Sequence, residues 1–114
     1  HDALPICDAL QVRLRWTTDA PLGTRYKVFV QVLNPDGTLA FQRDSEPGAG
    51  LELTDQWQPG AVILDQHALL IPDLPASESY TLILGLYDLN DASARLPAPD
   101  GDYLRLASLR LLPR

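Results

Sequence analysis

The fold is decided by Ser79-Tyr80-Thr81-Leu82-Ile83-Leu84-Gly85-Leu86-Tyr87-Asp88, nine uncharged residues closed by an acid. In an extended chain successive side chains point to opposite faces, so this stretch has two largely apolar faces. One face has the even-numbered residues Tyr80, Leu82, Leu84 and Leu86, and the other has Thr81, Ile83, Gly85 and Tyr87. A strand that is apolar on both sides is typical of the centre of a sheet, so we predict a central β-strand here.

Alternation continues on both sides of this strand. Residues 10–16 place four apolar side chains on one face and Gln11, Arg13 and Arg15 on the other. Residues 26–33 are apolar on both faces, and Asn34-Pro35-Asp36-Gly37 then reverses the chain into a return strand over 38–43. Pro presets φ and Gly tolerates positive φ, so this tetrapeptide is the strongest hairpin signal in the chain.

The other strands are less regular. Residues 44–60 read as a long loop and turn, and 61–71 are extended with apolar residues on both faces, which predicts a β-bulge near Asp65 to His67. In the last strand, 103–112, the leucines change from even-numbered to odd-numbered positions between Leu106 and Leu109. This change of face predicts a second bulge. About seven strands separated by turns predict an all-β fold, an antiparallel immunoglobulin-like β-sandwich, with a closed barrel as the alternative.

The length and composition of the chain exclude several kinds of function. A chain of 114 residues is one domain, 1–114, and its abrupt start at His1 suggests excision from a larger protein. Residues 36–102 hold twelve of the fifteen acids and two of the nine bases, so we expect no nucleic-acid partner. No apolar run is long enough for direct membrane insertion. Cys7 is the only cysteine, which excludes an internal disulfide and favours a small apolar filler.

Asp65 and His67 are the first candidates for chemistry. On a regular strand they share one face about 7 Å apart. A hydrolase would need Ser or Cys within hydrogen-bond reach of the imidazole, and no serine lies in a nucleophile-elbow context. We therefore favour a structural hydrogen-bonded pair and a chain that is not an enzyme. A hydrolase or sugar-modifying enzyme using these two residues is the alternative.

A calcium site is the second candidate, since Asp and Asn crowd two neighbouring loops at Asp88, Asn90, Asp91, Asp100 and Asp102. The ligand spacing of an EF-hand is absent, and both residue types form turns. The turn interpretation is favoured, and no metal or cofactor is predicted. Trp57, between Gln56 and Gln58, is either a sugar-stacking platform or a plug over the sandwich end with its indole N–H bonded to a loop carbonyl.

Several segments together resemble a soluble C-terminal domain of bacterial polytopic membrane glycosyltransferases of the dolichyl-phosphate-mannose-protein-mannosyltransferase type. They are Leu14-Arg15-Trp16, Tyr26–Leu33, Asp36-Gly37, Gln42-Arg43-Asp44, Trp57-Gln58-Pro59-Gly60, Asp65-Gln66-His67, and Gly85-Leu86-Tyr87-Asp88 followed by Arg95-Leu96. The chain departs from that pattern at Gln31, where relatives often have His, and at Ser77-Glu78-Ser79, where they have Gly. The resemblance implies an extracytoplasmic sandwich, at the periplasm or cell surface, tethered through the membrane domain of its parent protein.

From these observations we expect a monomeric, non-catalytic accessory module that holds or recognises a glycan or a lipid-linked sugar acceptor. A structural or adhesion module of a secreted protein, associating through an edge strand, is a further alternative. We expect a ligand to bind at one end of the sandwich, with Trp57 stacking on it and polar groups orienting it. Arg95 either pairs with Asp88 across its hairpin or faces a partner. The predicted ligand-binding residues are Trp57, Asp65, His67, Tyr87, Asp88 and Arg95.

Overall fold

The computed structural model describes residues 8–113, which form seven β-strands and two short 3-10 turns. More than half of these residues are in strands and only seven are in the 3-10 turns, which confirms the all-β prediction. The 3-10 turns, Pro47–Gly50 and Thr54–Gln56, lie in the predicted loop after residue 44. The strands are β1 (Ala9–Trp16), β2 (Tyr26–Leu33), β3 (Leu39–Ser45), β4 (Ile63–Leu70), β5 (Ser77–Asp88), β6 (Asp91–Arg95) and β7 (Leu104–Leu111).

Two antiparallel sheets face each other. The small sheet pairs β1 with β4, and the large sheet has the order β3-β2-β5, with β6 and β7 both pairing with β5. β7 follows the first half of β5 and β6 meets its end at Tyr87 and Asp88. Separate sheets linked by connections that cross between them make a sandwich, not the closed barrel.

The core lies between the sheets and is built from the inward residues of both. Val30 is fully buried and Leu84 is 5% exposed, as expected for central strands. The main cluster comprises Val12, Val28, Val30, Val32, Leu69, Tyr80 and Leu82. Alternating burial along β1 shows that the period-two pattern in the sequence selected the correct inner face.

Tyr80 ties the start of β5 to the connection before it. Its ring is buried, and its hydroxyl donates a hydrogen bond to the carbonyl oxygen of Pro75 over 2.7 Å. A tyrosine near the start of a strand that bonds back to the backbone a few residues upstream is the tyrosine corner of immunoglobulin-like sandwiches. The sequence analysis assigned Tyr80 only to the apolar face of β5.

The outer face of the large sheet has a small apolar cluster of its own. Phe29 is 1% exposed and Ile83 4%, although both point away from the main core. Gly85 makes room for this packing, because a Cβ there would collide with the Phe29 ring and lie 3.1 Å from the carbonyl oxygen of Asp102. The segment between β6 and β7 therefore covers part of this face.

The bulge predicted near Asp65 to His67 is wrong. β4 pairs with β1 in a continuous register from Leu70 to Ile63, and its odd-numbered residues face inward throughout. Apolar residues lie on both faces of this strand because two polar residues occupy its buried face while Val62, Leu64 and Leu70 are exposed.

Most other local expectations are confirmed. The Asn34 carbonyl accepts a bond from the Gly37 N–H over 2.8 Å, which closes the predicted hairpin turn. The register of β5 with β7 shifts opposite Arg105 to Ala107, beside the predicted second bulge. β6 begins at Asp91, within a segment predicted as a turn. Cys7 lies outside the described residues, so its predicted role stays a prediction.

Candidate functional site

Asp65 and His67 form the predicted pair, and it lies inside the protein. Two positions apart on a regular strand, they point to the same inner face of β4. Asp65 is 4% exposed and His67 is fully buried. His67 Nε2 lies 2.7 Å from Asp65 Oδ2, so the two side chains share a hydrogen bond sealed from solvent.

The Asp65 carboxylate accepts further hydrogen bonds from distant parts of the chain. The Trp16 indole N–H donates to Oδ2 over 3.0 Å, and the Gly48 backbone N–H donates to Oδ1 over 2.9 Å. Burial alone would raise the pKa of Asp65, but the bonds from His67, Gly48 and Trp16 outweigh it and hold this pKa below its ordinary value. Asp65 is therefore a satisfied, ionised acceptor.

The backbone that reaches Asp65 has an unusual conformation. Gly48, Ala49 and Gly50 have φ values of 62°, 56° and 87°, so three successive residues lie in the left-handed region. Such a conformation costs a non-glycine residue of order 1–3 kcal/mol and persists only where the surroundings impose it. Here the turn directs the Gly48 N–H at the buried carboxylate.

Ser45 supplies the third polar contact of the pair. It is on the inner face of β3, and its Oγ lies 3.4 Å from His67 Nδ1. The set has the composition of a Ser-His-Asp triad, yet serine meets Nδ1 and aspartate meets Nε2, opposite to the arrangement in serine proteases. No local motif marks this contact, because it depends on how β3 and β4 pack across the core.

Trp57 is a plug. Its side chain is 5% exposed, its indole N–H donates to the Glu52 carbonyl oxygen over 2.9 Å, and its ring lies 6.2 Å from that of Trp16. The plug interpretation is therefore confirmed. A stacking platform would need an exposed ring face, whereas the ring of Trp57 is buried.

Thr54 holds the loop that carries this plug. It is fully buried, its hydroxyl donates to the Thr24 carbonyl oxygen over 2.6 Å, and it accepts from the Tyr26 N–H over 2.8 Å. An ion pair between Arg25 and Glu46, with Nε 2.9 Å from Oε2, joins the same two segments. The sequence analysis missed Thr54, because an isolated threonine in a loop gives no signal of burial.

The remaining predicted ligand residues lie elsewhere. Tyr87 points to the outer face of the large sheet, where its hydroxyl donates to Asp44 Oδ2 over 2.8 Å and its ring stacks 6.3 Å from Phe29. Because Asp44 and Ser45 are neighbours in β3, they point to opposite faces of the sheet. The predicted single cluster is thus divided in two, with a sheet between the parts.

Arg95 and Asp88 have separate partners, and only Arg95 lies on the outer face with Tyr87. The Arg95 guanidinium lies 4.2 Å from the centre of the Phe29 ring, and its Nη1 is 3.3 Å from Asp102 Oδ1. Asp88 Oδ1 accepts a bond from the Asn90 N–H over 2.8 Å. Arg95 therefore pairs with Asp102 and a ring instead of reaching Asp88. We call Asp44, Tyr87 and Arg95 the outer-face cluster; Asp88 follows Tyr87 directly in β5 and so points to the opposite face.

The hydroxyl of Tyr87 should lose its proton at a higher pH than an ordinary tyrosine. Burial raises its pKa to about 12, and the hydrogen bond to Asp44 and the charge of that carboxylate act in the same direction. Ultraviolet titration of the wild type should show one tyrosine ionising near pH 12, and Y87F should remove that step. The pKa of Tyr87 is higher in the folded protein than in the unfolded chain, where it is near 10. The contribution of Tyr87 to the free energy of unfolding is therefore fully present below about pH 10 and is lost as pH rises through about 12. D44N should lower the pKa of Tyr87; an unchanged titration in D44N would contradict the assignment.

The acidic loops use their oxygens for turns, as favoured from the sequence. Asp91 Oδ1 accepts from the Ser93 N–H over 3.1 Å, and Asp100 Oδ2 accepts from the Arg105 N–H over 2.8 Å. Within residues 8–113 no group of three or more His, Cys, Asp or Glu side chains is arranged to hold a metal ion. No helix in that range is long and apolar enough to span a membrane.

The outer side of the small sheet has a groove of about 640 Å³. It is lined by Arg13, Leu14 and Arg15 of β1, by Leu64, Asp65 and Gln66 of β4, and by Gly48 and Ala49 of the strained turn. The side chain of Asp65 is itself buried. No family model, no curated protein and no solved structure matches this chain.

Proposed function

We propose that this chain is a non-catalytic accessory module of an extracytoplasmic protein, a membrane glycosyltransferase or a surface protein. In this proposal it holds a glycan or a lipid-linked sugar acceptor while chemistry takes place in another part of the parent. The main support is that the one candidate acid–base pair is sealed in the core, whereas aromatic and charged groups remain partly exposed on the outer face. The sequence segments that resemble glycosyltransferase-associated domains point to the same class.

The sealed pair argues against turnover. A general base must reach the proton it abstracts, and His67 has no exposed surface. Its Nε2 is engaged by Asp65, and that carboxylate is already held by Trp16 and Gly48. Every hydrogen bond here stabilises the fold, so the pair has no free group to offer a substrate.

The outer-face cluster has the groups that bind sugars. Tyr87 is partly exposed beside Asp44, and Arg95 lies opposite Tyr87 in β6. Aromatic rings pack against the apolar faces of sugar rings, while carboxylates and guanidinium groups bond to hydroxyls. We therefore place glycan recognition at this cluster instead of at Trp57.

The test is a glycan array with the 114-residue chain, followed by calorimetric titration of any saccharide that binds. Y87A should weaken binding at least tenfold, as expected when a stacking aromatic anchor is removed. Y103A is the matched control, since Tyr103 is also half-buried but lies outside the cluster. If no glycan or lipid-linked saccharide binds, or if Y87A and Y103A behave alike, the proposal fails.

A hydrolase is the second candidate because Ser45, His67 and Asp65 lie in contact. It predicts product release from glycans or esters, and loss of that activity in S45A with an unchanged melting temperature. The accessory-module proposal predicts no product from the wild type. A stable, inactive S45A beside an active wild type would therefore replace the binding proposal with the enzymatic one.

A further inference from the structure

The outward side of the small sheet differs in charge from the rest of the chain. The chain has a net charge of -6, yet this side has two arginines and no acid. We call it the basic face. Its residues are Ala9, Gln11, Arg13 and Arg15 from β1, and Val62, Leu64, Gln66, Ala68 and Leu70 on or next to β4.

The two arginines of the basic face are available to a ligand. Arg13 and Arg15 are exposed, and neither forms an ion pair or side-chain hydrogen bond within residues 8–113. By contrast, Arg25 is paired with Glu46, and Arg95 with Asp102. Arg13 and Arg15 are two positions apart, so they project together from one face about 7 Å apart at the backbone.

The same face exposes large aliphatic side chains. Val62, Leu64 and Leu70 have 58%, 68% and 69% of their surface exposed. From Val62 to Leu70 the strand covers roughly 26 Å at 3.3 Å per residue. Large aliphatic residues in a row on a sheet face indicate an interaction surface. A fitting partner must present negative charge and apolar material side by side in one plane.

The positive charge of the basic face distinguishes between two possible partners, a second copy of the chain and an anionic bilayer. A second copy placed symmetrically on this face would bring Arg13 and Arg15 towards their own counterparts, with no acid on the face to compensate. An anionic bilayer offers phosphates and acyl chains in the same plane, which suits both the guanidinium groups and the leucines.

We propose that the basic face docks on a bilayer that contains anionic phospholipids. Arg13 and Arg15 bind a headgroup phosphate in the groove of about 640 Å³, and Leu64 and Leu70 enter the interfacial layer. The rest of the chain has a net charge of -8, since the face accounts for +2 of the total of -6, so the charge distribution favours this side for contact with an anionic lipid surface.

This proposal goes beyond the glycan-binding function and stands or falls separately from it. The two sites lie on different sheets, so Y87A should leave lipid binding unchanged. Two arginines near an anionic surface raise the affinity by a modest factor, roughly 30-fold.

The experiment is co-sedimentation of the 114-residue chain with vesicles of phosphatidylcholine alone or mixed with phosphatidylglycerol. We expect binding only to the mixed vesicles, weakening as salt rises. R13Q/R15Q should lower the partition coefficient roughly 30-fold, since each arginine near an anionic surface contributes about fivefold. R43Q/R105Q, which removes two exposed arginines from the large sheet, is the matched control and should bind like the wild type.

The leucines and the headgroup are tested separately. L64Q/L70Q should also weaken binding to the mixed vesicles, because the apolar contact is lost. Equal binding to both vesicle types, no binding to either, or an R13Q/R15Q variant that binds like R43Q/R105Q would overturn the proposal. So would sedimentation velocity showing a dimer that R13Q/R15Q strengthens, or calorimetry showing that inorganic phosphate binds while the mixed vesicles do not.

Discussion

Asp65→Ala is expected to lower the free energy of unfolding at pH 7 by about 3–5 kcal/mol, the usual cost of removing one member of a buried charged network. The substitution removes the acceptor of three donors: the His67 ring, the Trp16 indole N–H and the Gly48 N–H. His67 Nε2, which is buried, and the half-buried N–H groups of Trp16 and Gly48 would all lose this acceptor. The strained turn at 48–50 would lose the contact that holds it.

Urea unfolding followed by tryptophan fluorescence measures this loss, and Asp73→Ala is the control. Asp73 is exposed and in a turn, so its replacement should change the free energy of unfolding by less than about 0.5 kcal/mol. Asp65→Asn should fall between the two, because the amide keeps one acceptor oxygen but loses the charge. An Asp65→Ala protein as stable as the Asp73→Ala protein would show that the network does not stabilise the fold.

The same pair predicts a pH dependence. The pKa of Asp65 is lowered in the folded state, so its stabilisation is full above the unfolded value of about 3.9 and is lost as pH falls through the folded value. The wild type should therefore lose stability below about pH 4 more steeply than Asp65→Ala. Parallel curves for the two proteins would contradict the lowered pKa.

Trp57→Ala is expected to lower the free energy of unfolding by about 3–5 kcal/mol, as usual for truncating a buried aromatic side chain. The ring closes the space next to Trp16, and its N–H bonds to the Glu52 carbonyl oxygen. Trp57→Phe keeps most of the apolar volume and loses that one hydrogen bond, so it should cost about 1 kcal/mol or somewhat more.

Thermal and urea unfolding of both variants measure these costs. Glycan binding of Trp57→Phe, measured below its melting temperature, should equal that of the wild type because the ring is 5% exposed. A Trp57→Phe protein that is stable but no longer binds the glycan would restore the stacking role predicted from the sequence.

The strands were predictable because their signal is local. Alternation over residues 79–88 predicted a central strand, and Val30 and Leu84 are buried as that pattern requires. The hairpin at Asn34 to Gly37 was also predictable, since proline and glycine favour the dihedral angles of the turn wherever they occur.

β4 shows where local reasoning stops. Hydrophobicity alone assigns Val62, Leu64 and Leu70 to the interior, yet they are exposed while Asp65 and His67 are buried. A buried carboxylate needs donors, and these come from residues 49 and 17 positions away, Trp16 and Gly48. These partners cannot be recognised from the sequence, so a bulge was the simplest explanation for apolar residues on both faces of the strand.

The amino-acid sequence by itself determined that the chain is all-β, which segments are extended and where the main hairpin turns, because these depend on period-two alternation and on the backbone preferences of proline and glycine. Only the tertiary structure decided that Asp65 and His67 share a sealed network with Ser45, that Trp57 is a plug, and that Tyr87 lies beyond the sheet from both. Neighbouring residues in a strand point to opposite faces, and what each face meets depends on chain segments far away in sequence.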